Sequence, residues 1–126
     1  MLKKKLIIGY KGKRIKLVAE DCNIWRKFSG LMFSRREKAK ILLFAFKKKQ
    51  NIAIHSFFVF YPFIAVWIDE KNKVVDVKVV KPFTSCVFPK EKSVKLVEIP
   101  INKKNKKIVK YFHSDVKTTK KVTSRR

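Results

Sequence analysis

The sequence predicts a mainly β fold, a small β-sandwich or a partly closed barrel with one short helix. Three observations support this prediction: apolar runs of strand length recur, they are rich in aromatic and β-branched residues, and polar or glycine-containing turns separate them. The 126 residues are 46% hydrophobic, which suffices for one core. We therefore expect a single β domain over residues 1–113 and a disordered basic C-terminal tail over 114–126.

The first half of the chain begins with a predicted β-hairpin over residues 5–20. Its strands alternate in hydropathy, and a turn containing Gly12 joins them. Asn23 then caps a short predicted helix that Gly30 ends. Two apolar runs follow, and both are predicted strands: residues 41–46 and 52–60, separated by a turn over 47–51.

The second half contains the clearest predicted hairpin, residues 63–69 and 74–80 joined by a polar turn. A loop is predicted over 82–92 and a core strand over 93–99. The composition then changes, because residues 102–126 hold ten Lys or Arg and one Asp. We expect one more short element at about 107–113, and disorder beyond it because the tail buries too little apolar area to offset its ordering entropy.

The net charge is extreme, since 33 Lys and Arg residues face 9 Asp and Glu, a formal charge of +24. Nine acids cannot pair with so many bases, so the surplus is typical of attraction to a polyanion. RNA, the ribosome or DNA is the favoured partner, an anionic membrane surface is less favoured, and a compositional lysine bias is the alternative. The candidate polyanion-binding residues are Lys117, Lys120, Lys121, Arg125, Arg126, Lys11, Lys13 and Arg14.

Localisation signals and cysteine chemistry are weak in this sequence. The apolar stretch at residues 6–10 is shorter than the roughly 7–15 residues of a signal peptide, which predicts a cytoplasmic location. The uncharged run over 50–68 contains Pro62 and is interpreted as two strands rather than a transmembrane segment.

Cys22 and Cys86 form no CxxC pair, so we expect two buried free thiols, with a single disulfide as the alternative. No metal or cofactor is expected.

Several segments arrive in an order that resembles one protein family. They are GLMF at 30–33, LLFAF at 42–46, IHSFFVFYPFIAVWID at 54–69, VV at 74–75 and VEIP at 97–100. Together they resemble the family called domain of unknown function 192 (DUF192) over about residues 5–100. The resemblance implies a compact, mainly β domain without an established activity.

The sequence departs from the family pattern in two places. Ile64 stands where the family carries an Asp, and residues 101–107 replace a segment that contains AGT and a glycine in relatives. If that Asp serves a polar site in relatives, the site is altered here.

Four residues that match the family pattern most closely form a candidate pocket: His55, Ser56, Gly30 and Met32. His55 is interpreted as a buried, hydrogen-bonded ring, with a pocket-lining role as the alternative. A zinc site with both cysteines lacks spacing support. No nucleophile motif accompanies His55.

The aromatic residues Phe57, Phe58, Phe60 and Tyr61 are interpreted as core, although aromatics on a basic sheet also stack on nucleic-acid bases. The leading hypothesis is a non-enzymatic basic module that binds RNA, the ribosome or DNA. The alternative is a small-ligand-binding or enzymatic β domain with its pocket near His55.

Overall fold

The computed structural model describes residues 3–22, 30–113 and 117–118. Seven strands and one α-helix are present in these residues. They are β1 (Lys3–Tyr10), β2 (Lys13–Asp21), β3 (Leu42–Gln50), β4 (Phe63–Ile68), β5 (Val74–Val80), β6 (Ser93–Pro100), α1 (Lys106–His113) and β7 (Lys117–Thr118). Short 3₁₀ turns lie at Arg36–Lys38 and Lys103–Asn105.

All seven strands belong to one sheet, in the order β1-β2-β3-β6-β4-β5-β7. The pairs are antiparallel except β2 with β3 and β5 with β7. The sheet curls until β1 approaches the start of β5, where the backbone N–H of Gly9 donates to the carbonyl of Asn72 at 2.9 Å. The predicted mainly β fold is therefore confirmed, in the form of a partly closed barrel.

The pairing register defines two ends of this barrel. Lys3 pairs with Glu20, and Glu20 lies beside Leu42, so these residues mark one end, here called the Lys3 end. Tyr10 pairs with Lys13, and Gln50 with Ser93, at the other end, here called the Tyr10 end.

Two apolar layers lie on opposite faces of the sheet because side chains alternate along each strand. On β6, Val97 and Ile99 join the inner layer, which all of β1–β6 supply and which Phe112 of α1 also enters. Leu96, two residues before Glu98, joins the outer layer, which the loops covering β3, β4 and β6 complete. The α1 helix is amphipathic, with Val109 and Phe112 buried and lysines exposed.

Most predicted strands are confirmed, but the strand predicted over 52–60 is wrong. Residues 51–62 form a loop with one isolated bridge, from Ile54 to Val87. Several of its backbone groups bond to neighbours elsewhere in the chain; the indole N–H of Trp67, for example, donates to the carbonyl of Ile52 at 2.7 Å. The turn predicted over 47–51 is also absent, because β3 continues to Gln50.

Two further expectations fall partly outside the described residues. The helix after Asn23 lies outside them, although Gly30 has the positive φ, +50°, expected of a terminating glycine. In the C-terminal tail, Lys117 and Thr118 pair with Lys78 and Val79, while 114–116 and 119–126 lie outside the described residues. The disorder expected over 114–126 does not hold at the paired residues Lys117 and Thr118, and for the other residues of this range it stays a prediction.

Candidate functional site

Three of the four predicted pocket residues line one cavity of about 130 Å³ on the outer face of the sheet. Gly30 and Met32 come from the loop before β3, and His55 comes from the loop before β4. The remaining wall is largely apolar and includes Phe44, Phe46, Ile52, Val59, Phe63 and Leu96. The fold therefore brings these distant family-like segments together.

His55 is exposed at this cavity, so its interpretation as a buried ring is wrong. Its Nδ1 accepts a hydrogen bond from the backbone N–H of Phe57 at 3.1 Å, and its ring packs on the ring of Phe57 at 5.1 Å. These contacts orient the imidazole at the cavity while leaving it accessible to solvent.

Ser56 does not line the cavity; it is fully buried behind it. Its hydroxyl donates to the carbonyl of Lys81 at 2.6 Å and accepts from the N–H of Thr84 at 2.7 Å. Its backbone N–H donates to the carbonyl of Thr84. Ser56 therefore fastens the loop before β4 to the loop after β5.

Glu98 also lines the cavity, although no sequence pattern predicted it there. Its side chain is 6% exposed, and it lies on β6 between Leu42 of β3 and Ala65 of β4. One feature of the sequence could have indicated this position. Glu98 is the only acid in the last five residues of β6, which are otherwise apolar, and its side chain lies on the same face as that of Leu96.

The interpretation of the aromatic run as core is wrong for Phe57, Phe58 and Phe60, which are exposed, and right for the buried Tyr61. Phe58 and Phe60 join Phe33 and Phe83 in a group called here the phenylalanine cluster. Ring centroids lie 5.0 Å apart for Phe33 and Phe58, 6.0 Å for Phe58 and Phe83, and 5.2 Å for Phe60 and Phe83.

Basic residues gather around two adjoining depressions at the Lys3 end of the barrel. Five bases line them, and we call this group the basic surface: Lys3, Arg35, Lys38, Lys40 and Lys104. Glu20 is the one acid among the lining residues of either depression, and it pairs with Lys40 at 3.3 Å. These bases come from three separate segments, so no local sequence pattern predicted that they share a surface.

The bases that were predicted from the hairpin turn lie at the opposite end. Lys13 and Arg14 are exposed, and the ammonium of Lys11 lies 5.5 Å from the ring centroid of Tyr10. A strand of this length separates them from the basic surface by roughly 20 Å. Of the predicted tail bases, Lys117 lies in β7, and Lys120, Lys121, Arg125 and Arg126 are outside the described residues.

Cys22 and Cys86 do not form a disulfide, so the alternative of a single disulfide is wrong. Cys22 is buried as predicted, whereas Cys86 is exposed because its loop covers the sheet through Val87. Within residues 3–22, 30–113 and 117–118, no three His, Cys, Asp or Glu side chains converge as a metal site would require. In the same residues, no helix has the length and apolar character needed to span a bilayer.

The family model of DUF192, described as an uncharacterized ACR, matches residues 12–114. The chain therefore belongs to the DUF192 family, as its sequence segments indicated. A comparison with curated proteins finds no match.

Two solved structures are similar to this fold. One, from Sinorhizobium meliloti, is described as a "putative transcription regulator"; it is 18% identical, with a TM-score of 0.68 over 85% of this chain and 86% of that chain. The other is a protein of unknown function from Novosphingobium aromaticivorans, 14% identical, with a TM-score of 0.61 over 76% of this chain and 71% of that chain. At these identities the likeness shows the fold alone.

Proposed function

We propose that this DUF192 protein binds nucleic acid, RNA or DNA, through the basic surface and the C-terminal tail. The observation that carries this proposal is the gathering of Lys3, Arg35, Lys38, Lys40 and Lys104 around depressions that contain one acid. Bases in such excess over acids gain free energy by displacing counterions from a polyphosphate.

The α1 helix adds to the same electrostatic argument. Lys106 and Lys107 stand in its first turn, which contains no acid. Together with Lys103 they extend the positive charge beyond the basic surface, along the chain from Lys104.

Sequence-specific readout is not part of this proposal. The described helix is eight residues long, and its exposed side chains are mainly lysines, which contact phosphates rather than base edges. We expect similar affinity for nucleic acids of different sequence, and an affinity that falls steeply as the salt concentration rises.

A salt titration of the full chain with RNA and DNA oligonucleotides tests the proposal. The variant R35Q/K38Q/K104Q removes three charges from the basic surface, and K48Q/K71Q/K92Q removes three exposed charges from the Tyr10 end. We expect only the first variant to weaken binding, and its slope of log K against log salt to fall by up to about 0.9 per lost contact with a duplex or 0.7 with a single strand.

Equal losses in the two triple variants would show that binding follows net charge and that the basic surface is not the site. Absence of binding by the full chain at about 0.1 M salt, where charges still act over about 10 Å, would refute the proposal itself.

A further inference from the structure

The phenylalanine cluster exposes an unusual amount of aromatic surface. Phe33 is 68% exposed, Phe60 63%, Phe83 49% and Phe58 46%. These rings form a chain of contacts in which Phe33 and Phe60 are the two ends. Because Phe33 stacks on Phe58 at an interplanar angle of 18° and is still two-thirds exposed, its other face is open to solvent.

The backbone is strained at three of these phenylalanines. Phe33, Phe58 and Phe83 have φ values of +60°, +59° and +57°, a region that bulky L-residues rarely occupy. Hydrogen bonds maintain it: the N–H of Phe33 donates to the carbonyl of Phe58 at 2.8 Å, and that of Phe83 to the carbonyl of Ser56 at 2.9 Å. Such strain collects at binding sites, where preset side chains lose little entropy on binding.

The cluster adjoins the basic surface along the chain. Phe33 and Arg35 flank Ser34, whose hydroxyl lies 2.5 Å from both the carbonyl of Leu31 and the hydroxyl of Tyr61. Ser34 is therefore fixed, and it links an open ring face to the lining of the basic surface. A groove that combines positive charge with stacking aromatics is the arrangement that single-stranded nucleic acids require.

We infer that the phenylalanine cluster is a stacking platform for unpaired nucleobases, with Phe33 and Phe60 each receiving one base while the basic surface holds the flanking phosphates. This inference rests on the proposed nucleic-acid binding, and it limits the use of the phenylalanine rings to single strands. Paired bases in a duplex present only their edges, so a duplex cannot use the open ring faces.

The experiment measures the affinity of the full chain for a 12-nucleotide oligouridine and for a 12-base-pair RNA duplex, both as probes of about one site size. The variant F33G/F60S removes both terminal rings, and glycine at 33 suits the positive φ, so the fold is retained. F88S is the matched control, since Phe88 is 52% exposed and belongs to none of the cluster contacts.

We expect F33G/F60S to weaken oligouridine binding at least about fivefold for each ring lost, with an unchanged salt slope and unchanged duplex affinity. F88S should change neither affinity. Equal melting temperatures of the three proteins establish that the effect is local.

Other outcomes overturn the inference in distinguishable ways. If oligouridine affinity is unchanged in F33G/F60S while R35Q/K38Q/K104Q weakens both ligands, the platform is wrong and the nucleic-acid function stands. If the wild-type chain binds neither RNA, both are wrong. If F33G/F60S retains oligouridine binding but loses binding to phosphatidylglycerol vesicles, the cluster is a membrane contact instead.

Discussion

Gly30 leaves room for the carboxylate of Glu98. A methyl group on the α-carbon of Gly30 would lie 3.2 Å from Oε1 of Glu98, closer than ordinary van der Waals contact. The absence of a side chain at 30 thus lets the loop before β3 lie directly over the buried acid of β6. Gly30 is also constrained by its φ of +50°.

Gly30→Ala therefore combines backbone strain with a close contact, and it should lower the free energy of unfolding by more than Gly12→Ala does. Gly12 has a φ of +76° but no atom within 4 Å of the added methyl group, so its variant reports strain alone, about 1 kcal/mol. Urea unfolding of both variants measures the difference. Equal losses of unfolding free energy in the two variants would show that Glu98 moves away from the added methyl group without an energetic cost.

Ser56→Ala should destabilise the protein by about 1–3 kcal/mol. The substitution leaves the N–H of Thr84 without its acceptor, whereas the carbonyl of Lys81 keeps the hydrogen bond that the hydroxyl of Thr84 donates at 2.8 Å. Ser93→Ala is the matched control, since Ser93 is equally buried and its hydroxyl has no hydrogen-bond partner among the described residues. Thermal unfolding should show a lower melting temperature for Ser56→Ala and an unchanged or higher one for Ser93→Ala. The reverse order would contradict the role of Ser56 in joining the two loops.

Trp67→Phe should loosen the loop over residues 51–62. The indole N–H of Trp67 donates to the carbonyl of Ile52 at 2.7 Å in a buried position, and phenylalanine leaves that carbonyl unsatisfied at a cost of about 1–3 kcal/mol. Amide hydrogen exchange should accelerate at Ile54 and Ser56 while the β1–β2 hairpin stays protected. Uniform acceleration along the whole chain would indicate global destabilisation rather than a local anchor.

Truncation after Thr118 should retain the fold and weaken nucleic-acid binding. It keeps the pairing of Lys117 and Thr118 with β5 and removes Lys120, Lys121, Arg125 and Arg126. The salt slope should fall by up to about 0.9 per lost duplex contact, and by less if the tail engages only some phosphates at a time. Truncation after Asp115 removes β7 as well and should also leave the melting temperature unchanged. An unchanged slope in both would place every contact on the folded domain.

The predicted disorder of the tail has its own test. Amides of residues 119–126 should exchange with solvent at rates near those of an unstructured peptide, because the segment carries four bases, no acid and one aliphatic side chain, Val122. Slow exchange across that segment in the free protein would contradict the prediction.

Local chemistry in the sequence predicted much of the sheet. The alternation on both sides of Gly12 gave the β1–β2 hairpin, and the polar turn before Val74 gave the β4–β5 hairpin, because strand period and turn residues are short-range signals. The family segments placed Gly30, Met32 and His55 in one candidate pocket, and the fold brings them to one cavity.

The same signals failed between Ile52 and Phe60. A continuous apolar run has the same sequence pattern whether it pairs as a strand or lies as a loop across the face of a sheet. Here it is a loop, and three of its phenylalanines are exposed. Glu98 was missed for a related reason, since one acid in a strand does not reveal that loops cover its face.

The fold class, the family, the two hairpins and the positive charge could be predicted from the sequence, because they depend on composition or on residues close in the chain. The tertiary structure was needed to show which bases share a surface, which aromatics are exposed, and that Glu98 meets Gly30 and His55 at a cavity. Those relationships arise where segments far apart in sequence pack on the second face of the sheet. Their geometry is set by side-chain packing and hydrogen bonds between loops, which no local pattern encodes.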